Sequence, residues 1–180
     1  SLAQKQLRQY PEALEYYVDL GLAKEETEDF DAAETIYKKA IRKLTASRTQ
    51  TVNLANAFLR NRRYDYALKV YEKAGRLNPK ASYSMELAAI YMMQRNYQRM
   101  LDTYLELLGE NPKMLDVVQN RLQFIVSQET SAELPDLLRR GLLKRIQESP
   151  GAKVYYDMLI WLYEQQKDFT RALRQAIALD

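Results

Sequence analysis

Residues 61–79 read NRRYDYALKVYEKAGRLNP, and residues 94–112 read QRNYQRMLDTYLELLGENP. Thirty-three positions separate them, and Tyr64, Tyr71, Asn78 and Pro79 have identical counterparts in Tyr97, Tyr104, Asn111 and Pro112. Thirty-four positions before Tyr64 stand Phe30, Ala33, Tyr37 and Ala40, which match Tyr64, Ala67, Tyr71 and Ala74 in type and spacing. Phe169, Ala172 and Ala176 write the start of the same pattern a further time. Apolar residues three and four apart share one face of a helix, and a small Ala there lets a neighbouring helix come close.

Each of these helices is preceded by another apolar stripe. Leu54, Ala55 and Phe58 stand before Tyr64; Leu87, Ala88 and Tyr91 stand before Tyr97. Tyr17, Leu20 and Gly21 open the first pair, and Tyr156, Leu159, Ile160 and Tyr163 open the last. The polar links EETED, RNRR, QRN and QQKD are long enough only for antiparallel helix hairpins. Asn78-Pro79, Asn111-Pro112 and Ser149-Pro150 end the second helices, because proline disfavours the helical conformation in the residue before it.

Composition narrows the function. At 47% hydrophobic and 28% charged residues, the 180-residue chain has the make-up of a folded globular protein. Only five Gly and five Pro argue against an all-β fold. Histidine and cysteine are both absent, which removes imidazole and thiolate from any catalytic or metal-binding scheme. The paired acids Glu25-Glu26 and Glu28-Asp29 fall in a turn, and the glycines are isolated, so neither an acid–base pair nor a phosphate loop is expected. Neither an enzyme nor a cofactor is expected. A net charge of +3 disfavours a nucleic-acid partner, the basic clusters at Arg60, Arg62 and Arg63 and at Arg139, Arg140, Lys144 and Arg145 reading as solvated helix surface. No apolar run approaches the length of a membrane span.

The aromatic–x–x–Leu–Gly run Tyr17-Val18-Asp19-Leu20-Gly21, the aromatic–Ala–aromatic spacing and the closing prolines resemble the tetratricopeptide repeat, a helix–turn–helix unit of about 34 residues. The resemblance implies an all-α, right-handed superhelical solenoid of antiparallel hairpins. It divides a single domain, residues 1–180, into repeats at 14–47, 48–80, 81–113, 114–152 and 153–180. In the first, Thr45 stands in place of the closing proline and Lys24 in place of an aromatic. Residues 114–152 lack the signature and read as a degenerate repeat with a longer turn at SQETSAEL, the alternative being a break in the array. Leu115, Val118, Leu122, Ile125 and Val126 mark one helix there, and Leu137, Leu138, Leu142, Leu143 and Ile146 a second, with Pro135 near its start and Ser127 or Ser131 as caps. Residues 1–10 read as the tail of an earlier helix. The last repeat stops part-way, uncapped, as in a piece of a longer array. Compartment stays open: cytoplasmic, or exported if Ser1-Leu2-Ala3 is a signal-peptide remnant.

If the first helix of each pair lines a concave face, as in that family, the groove would include Asn53, Asn56 and Arg60. Met85, Glu86, Ala89 and Met93 would follow, and Asp157, Met158 and Trp161 would come from the last repeat. Asn can hold a peptide backbone with paired donor and acceptor, and Met offers an adaptable apolar surface. The carboxylate clamp of some relatives is excluded: Val18 and Leu22, or Val52 and Asn56, stand where its leading Lys and Asn would be, and Glu86 where the next Asn would, so the required positive charge is missing. The expected function is a scaffold binding a peptide or partner protein. The alternative is a structural spacer or self-association segment of a larger protein, joining through the uncapped C-terminal helix. Among the 14 tyrosines, those in phase with the repeat are expected in its packing, while Tyr66, Tyr83 and Tyr155, out of phase, are candidates for partner contact.

Overall fold

The computed structural model describes residues 2–128 and 133–177, and among them every regular element is helical. In chain order these are α1 (Leu2–Gln9), α2 (Glu15–Glu25), α3 (Phe30–Lys43), α4 (Arg48–Arg60), α5 (Tyr64–Leu77) and α6 (Ser84–Met93). They are followed by α7 (Tyr97–Glu110), a 3₁₀ turn (Pro112–Met114), α8 (Leu115–Gln128), α9 (Glu133–Glu148), α10 (Lys153–Gln165) and α11 (Phe169–Ile177). The pairs α2/α3, α4/α5 and α10/α11 pack as helix hairpins. The chain divides into two compact units, residues 1–90 and 91–180, the division falling inside α6.

One turn chemistry is written four times. Glu28, Arg62, Arg95 and Lys167 sit in the left-handed region at φ 59, 55, 56 and 58°, each two residues before the aromatic that opens the next helix. In the first turn the Asp29 N–H donates to the Lys24 carbonyl at 3.0 Å and the Glu28 N–H to the Glu25 carbonyl at 2.9 Å. The same two bonds recur as Arg63 to Phe58 and Arg62 to Leu59, as Asn96 to Tyr91 and Arg95 to Met92, and as Asp168 to Tyr163 and Lys167 to Glu164. This is the Schellman closure, which satisfies the last carbonyls of a helix with one left-handed residue. In three of the turns the next residue then caps the following helix. Asp29, Asn96 and Asp168 accept from the backbone N–H groups of Ala32, Arg99 and Arg171.

Helix ends follow their sequence signals. Asn78 and Asn111, each before a proline, take the extended conformation at φ −138 and −142° that ends α5 and α7. At Thr45, where the proline is missing, Gln50 closes the junction: its Oε1 accepts from the Thr45 N–H at 2.9 Å and the Thr45 hydroxyl at 3.0 Å. Its Nε2 donates to the Glu12 carbonyl at 3.1 Å, tying the entry of α2 to the start of α4.

In the first unit, α2 packs on α3 and α4 on α5, and like helices of successive hairpins meet, α2 with α4 and α3 with α5. The small positions do what the pattern implies: Ala33, Ala40, Ala67 and Ala74 are buried, and Gly21 lies directly against the ring of Tyr37. Tyr37 meets Phe58 edge-on at 5.3 Å between centroids, and Tyr66 lies 4.9 Å from Tyr37 and stacked on Phe58. Tyr83 is buried against Tyr71 at 5.4 Å.

In the second unit, α7 packs on α9 and α10, and α10 also meets α8, α9 and α11. Val118, Leu122 and Ile125 of α8 are buried, as expected from the sequence. On α9 the buried stripe is Leu134, Leu138 and Leu142, at i, i+4 and i+8, so α9 takes in the Glu133-Leu134 end of the stretch read as a turn. The expected caps are not placed: Ser131 and the Ser127 side chain lie outside the described residues. Tyr155 is buried and donates from its hydroxyl to the Leu105 carbonyl at 3.2 Å. The out-of-phase tyrosines Tyr66, Tyr83 and Tyr155 are therefore packing residues rather than contact residues, each large ring filling space between hairpins.

Candidate partner-binding face

The exposed side of α4 is built by what its other side buries. Thr51, Leu54, Ala55 and Phe58 face the core, and Thr51 closes its own hydroxyl on the Ser47 carbonyl at 3.0 Å. Asn53, Asn56 and Arg60, at i, i+3 and i+7, are left together on the opposite face, all exposed. No hydrogen bond or ion pair among the described residues engages their side chains, so two amides and a guanidinium are open to a ligand. One repeat earlier, Asp19 and Leu22 on α2 and Glu26 at its C-cap hold the matching positions, with Asp19 and Glu26 exposed and Leu22 half-buried.

A cleft of about 570 Å³ adjoins this face in the first unit. Its lining runs from Gln9 to Ala13, adds Glu15, and continues through Thr45, Ser47, Thr49, Gln50 and Asn53. Sequence reading found Asn53 but missed the rest, because the cleft forms where the α1–α2 link folds against the start of α4. A trace of it was visible: Glu15 and Thr49 stand one repeat apart.

The remaining candidates divide by environment. On α6, Ala89 and Met93 are exposed and Met85 is half-buried. Glu86 is committed internally: Arg48 donates to its carboxylate at 2.7 Å, with the guanidinium 5.1 Å over the Tyr83 ring. On α10, Trp161 is half-buried, and Asp157 is paired with Lys153 one turn before it. Met158 is fully buried in the second unit, so it presents nothing to a groove; it sits on the side of α10 that also buries Leu159 and Leu162.

A hydrogen-bonded charge cluster lies away from that face. Arg63 donates through Nε to Glu25 Oε1 at 3.2 Å and through a second nitrogen to Oε2, while the Tyr37 hydroxyl donates to Oε1 at 3.1 Å. The Arg63 hydrogen bonds hold the Glu25 carboxyl below its usual value, although partial burial opposes them. Burial, reinforced by Glu25, pushes the Tyr37 hydroxyl up. Every charge in this cluster is answered by a partner, as in a structural lock between hairpins. Among the described residues no group of three or more acidic side chains is placed to hold a metal ion, and no helix is long and apolar enough to cross a membrane.

Stacked two-helix hairpins with a shared turn chemistry and an open face on the first helices define a helical-repeat protein. Sequence models described as tetratricopeptide repeat match residues 14–42 and 52–114, together about half of the chain, and the chain belongs to that family. Repeats of this family generally mediate protein–protein interaction. No curated protein matches the chain significantly. A solved structure described as "Structure of Naa15/Naa10 bound to HypK-THB" aligns at 14% identity and a TM-score of 0.37. The alignment covers 98% of this chain and only 33% of that one. A likeness this loose bears on neither fold nor partner.

Proposed function

We propose that the chain is a non-catalytic scaffold that binds a peptide or a segment of a partner protein on the exposed face of its first helices. The observation that carries this reading is the trio Asn53, Asn56 and Arg60, aligned on one face of α4 and engaged by no hydrogen bond or ion pair among the described residues. Amides so placed suit a peptide backbone, which offers a donor and an acceptor at every residue. Ala89, exposed on α6 in the same unit, adds an apolar contact. Because the helices are held by packing on their neighbours, little ordering entropy opposes binding.

The test is affinity capture with the 180-residue chain, followed by titration of the purified partner against two variants. Asn53→Ala/Asn56→Ala removes the paired amides, each worth about 1 kcal/mol if bonded, so the double variant should weaken binding about 10-fold or more. Ala89→Glu, in the same unit, should weaken it independently. An unchanged Kd for both variants, with helicity preserved, would remove the exposed first-helix face as the binding site.

A further inference from the structure

The open register of the first helices recurs in two successive repeats. On α4 it runs Thr49, Asn53, Asn56 and Arg60, all exposed. This exposure is not an end effect, because α2 packs on one side of α4 and Arg48 reaches Glu86 of α6 on the other. Thirty-four residues earlier, the same register on α2 and its C-cap holds Glu15, Asp19, Leu22 and Glu26. Neutral amides on one helix thus stand beside carboxylates on its neighbour.

The cleft beside this face continues the acidic chemistry. Its walls are the α1–α2 and α3–α4 links, each with a helix before and after it. Gln50 braces the two, its Oε1 accepting from the Thr45 N–H and its Nε2 donating to the Glu12 carbonyl. Among the described residues that line the cleft only Glu12 and Glu15 are charged, although the chain as a whole carries +3. Neither carboxylate, nor that of Asp19, takes a hydrogen bond or ion pair among the described residues. Tyr10 and Pro11 add an apolar wall. An apolar wall leading to two unpaired carboxylates matches Lys or Arg, each a cation on an apolar stem. The start of α4 opens on the same cleft and by itself favours an anion, but a helix end carries only about half a charge against two full ones. Ser47 also answers one of its amides, accepting from the Gln50 N–H at 3.3 Å. We propose that the bound partner segment is basic, with one Lys or Arg side chain in the cleft against Glu12 and Glu15 and its backbone along Asn53 and Asn56. The inference rests on the first-helix face being the binding site and adds the charge of its ligand, to which Asp19 contributes from the neighbouring helix.

The test titrates three acetylated, amidated tripeptides, Ala-Arg-Ala, Ala-Gln-Ala and Ala-Glu-Ala, into the isotope-labelled 180-residue chain and follows backbone amide shifts by NMR. Ala-Arg-Ala is expected to shift the amides of Glu12, Glu15 and Asn53 saturably and to bind about 10-fold more tightly than Ala-Gln-Ala, with Ala-Glu-Ala weakest. Glu12→Gln/Glu15→Gln should erase the difference between the first two. Glu12 is exposed and Glu15 half-buried, so the variant keeps its fold, which circular dichroism checks. Asn53→Ala/Asn56→Ala should instead weaken the arginine and glutamine peptides alike. Equal shifts of those amides by all three peptides, still reduced by the asparagine variant, would overturn the basic ligand and leave the face standing. Tighter binding of Ala-Glu-Ala would overturn it in favour of an anion at the start of α4. Shifts from Ala-Arg-Ala that avoid these amides, or that survive Glu12→Gln/Glu15→Gln unchanged, would overturn the cleft, and so would no shift at all.

Discussion

Gly21→Ala and Gly75→Ala are the same substitution in two helices, and the structure predicts opposite signs. In a helix interior the change is worth about 0.8–1 kcal/mol in favour of Ala. At Gly75, in α5, a Cβ would meet nothing within 4 Å, so the gain should appear undiminished. At Gly21, in α2, it would fall on the Tyr37 ring, with Cζ at 2.7 Å and Cδ1 at 2.8 Å, far inside carbon–carbon contact. Tyr37 cannot retreat cheaply, being wedged between Phe58 and Tyr66 with its hydroxyl on Glu25. Overpacking of this kind costs about 1–3 kcal/mol, and a lost or stretched hydroxyl bond adds about 1 kcal/mol. Net of the helix gain, Gly21→Ala should destabilise by about 1–3 kcal/mol. For a chain of this size a kcal/mol moves Tm by roughly 2–4 °C. Far-UV circular dichroism should therefore show the Gly75→Ala midpoint rising by about 2–4 °C and the Gly21→Ala midpoint falling by about 2–12 °C. In a Tyr37→Leu background, itself less stable, Gly21→Ala should become nearly neutral. A Gly21→Ala protein as stable as the wild type would refute the close-approach account.

The left-handed turn residues make a second case. Arg62→Gly and Arg95→Gly remove a strain of about 1–2 kcal/mol at a cost of about 0.5–1 in unfolded-chain entropy, so each should raise the urea midpoint slightly, and Ala in place of Gly should cancel the gain. Glu25 sets a pH dependence. Its carboxyl is held below the usual 4.5, so its contribution is complete above that value and is lost as pH falls through the folded-state value. Glu25→Gln should flatten the decline in urea midpoint below about pH 4.5 without abolishing it, since Asp29 and Glu34 are shifted in the same direction. An unchanged slope would count against the Arg63 pairing. Arg63→Asn should restore the cap found in the other turns, worth about 1 kcal/mol, but sacrifice hydrogen bonds to a charged group worth about 1.5–3 kcal/mol. It should therefore destabilise the wild type yet stabilise a Glu25→Leu variant, as a four-protein denaturation cycle would show.

What the sequence made legible was whatever recurs at the repeat period. The small residue under Tyr37, the buried alanines of α3 and α5, and the prolines that end α5 and α7 all follow from a helix periodicity repeated every 33 or 34 residues. Contacts between repeats follow another interval. Arg63 to Glu25, Arg48 to Glu86 and Gln50 to Glu12 span 38 residues, and Arg145 to Glu106 spans 39. That separation is one repeat plus roughly one turn of helix, the offset a long side chain needs to reach across stacked hairpins. It escapes any search for identity at the period, and so Glu86 read as free when Arg48 holds it. Tyr83 and Tyr155 escaped for a related reason. They stand outside the repeat phase, where an aromatic looks unassigned until neighbouring elements are seen to close over it.

Arg63 shows how the two intervals interact. The residue after each left-handed turn position is Asp29, Asn96 and Asp168 in three hairpins, each capping the next helix, and only Arg63 forgoes that cap. Thirty-eight residues before it stands Glu25. Facing that carboxylate, the chain places a guanidinium instead of a cap. The departure from the local rule is thus compensated by a contact with the preceding repeat, and it couples the first two hairpins more tightly than backbone capping would. The exposed face on α4 gains from that coupling, because Asn53, Asn56 and Arg60 ride on the hairpin whose turn Arg63 anchors to Glu25. A binding surface made of short amides, as proposed for α4, needs such an anchor. Its hydrogen bonds select a ligand only if the helix carrying them is held in place before the ligand arrives.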